Sequence, residues 1–206
     1  LFRRQRQMCI RDRHKFIGWD KVILTDSGGF QGWSIPNRFN DDGIEFKNIY
    51  DGSKFFMDPK LSMDIQQTLN SDIAMILDSL IDINKEYDEQ LNAINTTQQW
   101  ANIARNYHTN NNQSLFGIVQ GGKHKELREK SATDMMTIDF DGYAIGGLAI
   151  GETPEERKEI VNFTVEMLPK DKLRYVMGLG DIEGMLELIE LGVDIFDCVW
   201  PARLAR

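Results

Sequence analysis

Three aspartates stand where a short apolar run stops. Asp26 follows residues 21–24 (KVIL) and Thr25, Asp78 follows residues 73–77 (IAMIL), and Asp197 follows residues 194–196. A single carboxylate in such a place is most often a helix N-cap. Three at equivalent strand ends are harder to read as caps alone. Two carboxylates facing one cavity suit displacement at a sugar anomeric carbon, one as nucleophile and the other as acid and base. Asp197 lies in GVDIFDCVWPARLAR (residues 192–206), where Arg203 and Arg206 supply guanidinium forks for an anionic partner. Pro201 is expected to stop any regular element there.

Glycine pairs close several of the same runs: Gly28-Gly29, Gly121-Gly122 and Gly146-Gly147. They are either tight turns or places where backbone N–H and C=O groups meet a flat ligand edge-on. Gln120 adds an amide suited to a purine's donor and acceptor edge. Phe30 or Met177 would supply faces for stacking, although a lone methionine is more often core. GLGDIEG (residues 178–184) has the form of a phosphate-binding turn at a helix N-terminus, with Asp181 and Glu183 opposing an anion. Cys198 reads as a small buried residue rather than a second nucleophile. The three histidines and two cysteines have no metal-ligand spacing, and neither a P-loop nor a nucleophile elbow occurs.

The elements that must carry these residues alternate. Strand-like runs at 21–24, 73–77, 115–119, 143–145, 175–177 and 194–196 are short and unalternating, as in parallel strands covered on both faces. Helical patterns lie between them. Residues 86–107 place Tyr87, Leu91, Ile94, Ala101 and Ala104 on one stripe. Thr153-Pro154-Glu155-Glu156 is a capping box opening a helix that Pro169 ends. Asp181 is a further N-cap, with Gly192 past that helix's end. Residues 32–56 read as a hairpin excursion, with turn signals at Asp41-Asp42-Gly43 and Asp51-Gly52. Strand and helix at this rhythm make βαβ units, open doubly wound or closed as a (β/α)8 barrel. Functional-looking residues at many successive strand ends favour the TIM barrel over the single switch point of an open sheet. A full barrel typically needs about 250 residues, so an incomplete one is expected in this 206-residue chain.

Apolar content of 41% and charged content of 27% are ordinary for one globular domain, and the net charge is −8. Cys9 and Cys198 make no disulfide framework, which fits a reducing cytoplasm. No run approaches the roughly 18 apolar residues of a membrane span. Residues 1–13, with five arginines and no periodicity, are expected to be a disordered or non-native basic leader, leaving 14–206 as a partial barrel domain.

TDSGGFQ (residues 25–31), LFGIVQGG (115–122), GYAIGGLAIGE (142–152), RYVMGLG (174–180) and residues 192–206 together resemble the tRNA-guanine transglycosylases, the bacterial queuine tRNA-ribosyltransferases. The resemblance implies an incomplete TIM barrel lacking its first strand, its end and a C-terminal zinc subdomain. It implies exchange of guanine at the anticodon wobble position of tRNAs for Asp, Asn, His and Tyr against a 7-deazaguanine, preQ1. Asp197 would be the nucleophile forming a covalent RNA intermediate, and Asp26 the general acid/base. Asp26, Ser27, Gly28, Gly29, Phe30, Asp78, Gln120, Gly146, Gly147, Leu148 and Met177 would form the base pocket. Gly178, Leu179, Gly180, Asp181, Ile182, Glu183 and Gly184 would bind RNA, as would Ala202, Arg203, Leu204, Ala205 and Arg206. No cofactor is expected within this chain, a structural zinc in the C-terminal part beyond it, and a cytoplasmic homodimer at full length. Two departures stand out: Ser79-Leu80 replaces the family's usual Glu-Cys, and Ile150 stands where queuine-using relatives tend to have glycine, which favours preQ1. The rival readings are an archaeosine-type or phage relative, and a non-catalytic RNA-binding subunit or inactive fragment.

Overall fold

The computed structural model describes residues 13–34, 37–47 and 51–205. Residues 1–12 of the basic stretch, Cys9 among them, and Arg206 lie outside the described residues. Helix α1 (Arg13–Ile17) precedes β1 (Leu24–Thr25), α2 (Gly29–Ser34) and the strands β2 (Asn37–Asn40), β3 (Gly43–Lys47) and β4 (Lys54–Met57). Then come α3 (Pro59–Leu69), β5 (Ile73–Met75), α4 (Tyr87–Tyr107), β6 (Ser114–Val119), α5 (Lys125–Ile138) and β7 (Gly142–Ile145). The chain continues through α6 (Pro154–Met167), β8 (Leu173–Val176), α7 (Ile182–Glu190), β9 (Ile195–Phe196) and α8 (Trp200–Leu204).

Six of these strands form one sheet in the order β1-β5-β6-β7-β8-β9. Every pairing with a resolved register is parallel. Each strand lies beside the one before it in sequence, so the order never reverses. A doubly wound sheet would reverse at its switch point, whereas consecutive βα units of a barrel do not. The chain divides into two compact units, residues 1–78 with 99–116 and residues 79–98 with 117–206.

In the first unit, β1 pairs with β5 from Leu24↔Ile73 to Thr25↔Ala74, and β5 with β6 from Ile73↔Ser114 to Met75↔Phe116. The strand expected at residues 21–24 is shorter and shifted. The Ile23 N–H donates to the Asp72 carboxylate at 2.7 Å instead of to a strand, and Lys21 and Val22 are exposed. The excursion is a three-stranded antiparallel sheet, β2-β3-β4. Its first turn forms as the sequence suggests, with the Asn40 Oδ1 accepting from the Asp42 and Gly43 amides at 2.9 Å each. Ile44, Leu77 and Trp100 make a fully buried cluster, against which Phe39, Phe46 and Met57 pack. The Trp100 indole N–H donates to the Asp41 carbonyl at 2.8 Å. Helix α3 has Asp58 as N-cap, Pro59 in its first turn and Asn70 closing it in the left-handed region.

In the second unit, β7 pairs with β8 from Gly142↔Leu173 to Ile145↔Val176, and β8 with β9 through Tyr175↔Ile195 and Val176↔Phe196. Helix α6 opens on the expected capping box of Thr153 and Glu156. Helix α7 has Asp181 as its cap, its carboxylate accepting from the Gly184 amide. Gly192 follows that helix at φ +95°. Along α4, whose residues fall in both units, Ile94, Ala101 and Ala104 are buried, while Tyr87 at the start of the expected stripe is 44% exposed. Pro201 does not stop regular structure: it lies in the first turn of α8, where proline has no intrahelical N–H bond to lose.

Candidate active site

Helix starts remove the capping explanation for the three aspartates. Helix α2 opens at Gly29, three residues past Asp26; Val199 caps α8; and no helix follows Asp78 before Tyr87. Each carboxylate therefore ends a strand for another reason.

Asp26 is exposed between buried Thr25 and Ser27. The turn is held from below by a buried polar network around Gln66 of α3. The Thr25 hydroxyl donates to Gln66 Oε1 at 3.0 Å and lies 2.8 Å from the Ser71 hydroxyl. The same Gln66 amide accepts from the Met75 N–H at 2.9 Å and donates to the Met75 carbonyl at 2.8 Å. The Ser62 hydroxyl donates to the Ser27 carbonyl at 3.2 Å. One side chain thus ties the end of β1 to the end of β5, the strands that lead to Asp26 and Asp78. Asp78 is buried, and a Cβ added to Gly29 would run into its carboxylate. Glycine at 29 is what lets the turn lie on Asp78. Phe30, next in the turn, is 52% exposed.

In the second unit, Gln120 is buried at the end of β6, its N–H donating to the Ser131 hydroxyl at 3.1 Å. Its amide lies against the turn after β7. A Cβ on Gly146 would stand 2.7 Å from Gln120 Nε2, and one on Gly147, which has φ +70°, would stand 2.6 Å from Gln120 Oε1. Any side chain at either position would displace the amide. Behind both turns sits Arg128, fully buried in the first turn of α5. Its Nε donates to the Gly122 carbonyl at 3.0 Å, Nη1 to Val119 at 3.3 Å and Nη2 to Gly146 at 3.0 Å. Burial pulls the guanidinium down to about 10, with Glu152 acting in the opposite direction, so it remains a cation at neutral pH. Leu148 is buried and Met177 half-buried. Ala149 adopts φ +60°, and the Glu152 carboxylate accepts from the Ala149 N–H at 2.6 Å and the Ile150 N–H at 3.2 Å. That grip holds a non-glycine residue in a conformation costing on the order of 1 kcal/mol.

Asp197 is exposed at the end of β9. The Tyr175 hydroxyl of β8 donates to its Oδ1 at 2.6 Å, and the Gly178 N–H donates to the same oxygen at 2.7 Å. Both bonds fall on one oxygen, so Oδ2 carries neither. The carboxylate is oriented and presented. In the 178–184 turn, Leu179 is buried and Gly180 packs on Cys198, whose sulfur a Cβ at 180 would overlap. Cys198 is a free, half-buried thiol filling that space. The Gly184 amide, which an anion at this helix end would use, donates instead to Asp181 at 2.8 Å. The Arg157 guanidinium stands 3.7 Å from the same carboxylate. Ile182 and Glu183 are exposed, as are Ala202, Arg203, Leu204 and Ala205 in and just after α8.

The structure therefore gathers Gln120 with Gly146 and Gly147, Asp78 with Gly29, and Asp197 with the Gly178 turn. Four supporting residues escape a reading by type and spacing. Arg128 sits in KELREK, which looks like a solvated charge run, and Tyr175 looks like core. Gln66 and Glu152 carry no strand-end signal. Among the described residues, no group of His, Cys, Asp and Glu could hold a metal ion, and no helix is long and apolar enough to cross a membrane.

The family model described as queuine tRNA-ribosyltransferase matches residues 3–206. A queuine tRNA-ribosyltransferase of Thermotoga petrophila is 48% identical over 197 residues, 95% of this chain and 53% of the relative. One from Thermotoga neapolitana is 49% identical over 194 residues, 94% of this chain and 53% of its own. One from Acinetobacter baylyi is 44% identical over 198 residues, 94% of this chain and 51% of its own. The chain spans about half the length of the curated relatives it matches. A match running nearly the whole chain, with strand ends built as described, leaves one conclusion: this chain belongs to the queuine tRNA-ribosyltransferase family.

Proposed function

We propose that this chain carries the reacting residues of a tRNA base-exchange enzyme on an incomplete (β/α)8 barrel. In this reading it replaces wobble guanine in tRNAs for Asp, Asn, His and Tyr with preQ1. The observation that carries the proposal is the Asp197 carboxylate, exposed at a strand end and oriented through Oδ1 by Tyr175 and Gly178. Such a group suits nucleophilic attack on the ribose C1′.

In the first displacement Asp197 Oδ2 bonds to C1′ and the C1′–N9 bond breaks. The bond pair leaves with guanine, which takes a proton from Asp26. In the second, the incoming base gives its N9 proton to Asp26 and N9 attacks C1′. The ester bond breaks and its electron pair returns to Asp197. Two inversions give net retention, as in retaining glycosidases. The Tyr175 hydroxyl and Gly178 amide stabilise the returning charge. Asp78, Gln120, Gly146 and Gly147 present donors and acceptors suited to a purine edge, with Ser27, Gly28, Gly29, Phe30, Leu148 and Met177 around it. Arg203 and Arg206 are the cations for anticodon phosphates or bases. The full-length protein acts in this reading as a cytoplasmic homodimer. The zinc implied by the resemblance finds no ligand set among the described residues, and no step runs through it.

The test uses the complete gene product that contains this chain. Incubation with tRNA and denaturing electrophoresis should show an RNA–protein adduct, and Asp197→Asn should abolish it. An adduct that persists in Asp197→Asn would remove the nucleophile assignment.

A further inference from the structure

We infer that Arg128 is a positioning residue for base recognition, clamping the two turns that carry Gln120 and Gly147 into one rigid edge. The inference rests on the reading that these turns receive a purine base. Its own support is geometric. Three nitrogens of one guanidinium reach three carbonyls, at Val119 and Gly122 on one side and Gly146 on the other. Val119 and Gly122 bracket Gln120, and Gly146 shares its peptide unit with the Gly147 N–H. The Gln120 amide is in turn pressed against Gly146 and Gly147.

Burying a cation without a carboxylate in hydrogen-bond contact is costly, and packing alone does not call for it. A planar fork with fixed spacing is what a buried lysine or an apolar side chain cannot provide. The cation also polarises the Gly146–Gly147 peptide through its carbonyl, which strengthens the Gly147 N–H as a donor. A ligand with a carbonyl acceptor beside a donor edge, as in guanine, is the class that gains.

Arg174 provides an internal comparison. It is also buried, in β8, and donates to the Leu168 carbonyl at 2.9 Å and the Gly192 carbonyl at 3.4 Å, at the opposite ends of the strands. It fastens the fold away from the turns.

The experiment measures exchange of labelled guanine into tRNA by the complete gene product, with Arg128→Lys, Arg128→Met and Arg174→Lys. Losing one charge-assisted bond at the turns should raise the KM for guanine about tenfold in Arg128→Lys. The rise should be larger in Arg128→Met, with the KM for tRNA within about twofold of the parent by the same reasoning. Arg174→Lys should lower the melting temperature and leave both KM values unchanged. A purely structural Arg128 would lower the active fraction and leave the guanine KM alone, which would overturn the inference. So would an Arg174→Lys that raises the guanine KM equally, or failure of both Arg128 variants to fold. A parent that exchanges no guanine fails the functional reading first and takes this inference with it. A parent that exchanges while its Arg128 variants keep the guanine KM fails the inference alone.

Discussion

At the scale of single residues, the site depends on side chains that touch no substrate in the proposed reaction as much as on those that do. Tyr175 is the clearest case: its hydroxyl is one of two donors on Asp197 Oδ1. A hydrogen bond to a charged group contributes about 1.5–3 kcal/mol. Tyr175→Phe should therefore slow exchange by roughly ten- to a hundredfold, read as the single-turnover rate of adduct formation. An unchanged rate would leave orientation of Asp197 to the Gly178 amide alone. Asp26, Asp78, Asp197 and Gln120 were legible in the sequence because each interrupts an apolar run with a polar group. Tyr175 was not, because a buried phenol and a buried core ring are the same letter. Arg128 was not, because a helix's buried and solvated charges separate only once its packing face is known.

At the scale of elements, the capping box of α6 links local sequence to pH. The Lys123 ammonium, and then the Thr153 N–H, hold the Glu156 carboxyl below its usual 4.5. The depressed value means that this contribution to stability is fully present above pH 4.5 and is lost as pH falls through the folded-state value. Glu156→Gln should lower the melting temperature at pH 7, and the difference should shrink as pH falls through the folded-state value. A loss that stays constant with pH would show that the box works without its charge. Thr153→Ala should cost about 1 kcal/mol in urea unfolding. That helix was readable from its cap, and so was α7 from Asp181, since capping signals are local. Helix α5 has no such signal, since His124 at its start makes no side-chain capping bond. The buried face of α5 mixes Leu127, Ala132 and Met135 with Arg128 and Ser131, so its apolar stripe is broken. Pro201 misled because the same ring that breaks a helix interior suits a first turn.

At the scale of the molecule, these 206 residues carry a net charge of −8, which in the proposed reaction would oppose a polyanion. In that reading phosphate contacts would come from local cations, and Arg203 is an exposed one in α8. In the complete gene product, Arg203→Ala should reduce the slope of log affinity for tRNA against log salt by about 0.7–0.9, the value of one phosphate contact. An unchanged slope would remove Arg203 from the RNA surface. The unreversed strand order was foreseeable from the rhythm of runs and helices, and the β2-β3-β4 sheet only as a hairpin, because the partner of an antiparallel strand is not written in its own pattern. That small sheet has a mechanical consequence. Trp100 is bonded to its first turn, Ile44 is sealed in with Leu77, and Leu77 is the neighbour of Asp78. Gly32 of α2 lies flush on the same Ile44, within 2.9 Å of where a Cβ would stand. What looks in outline like a flap, free to swing over an arriving ligand, is bolted to the foundation of the strand that bears Asp78. It is a wall, fixed in place by its own packing.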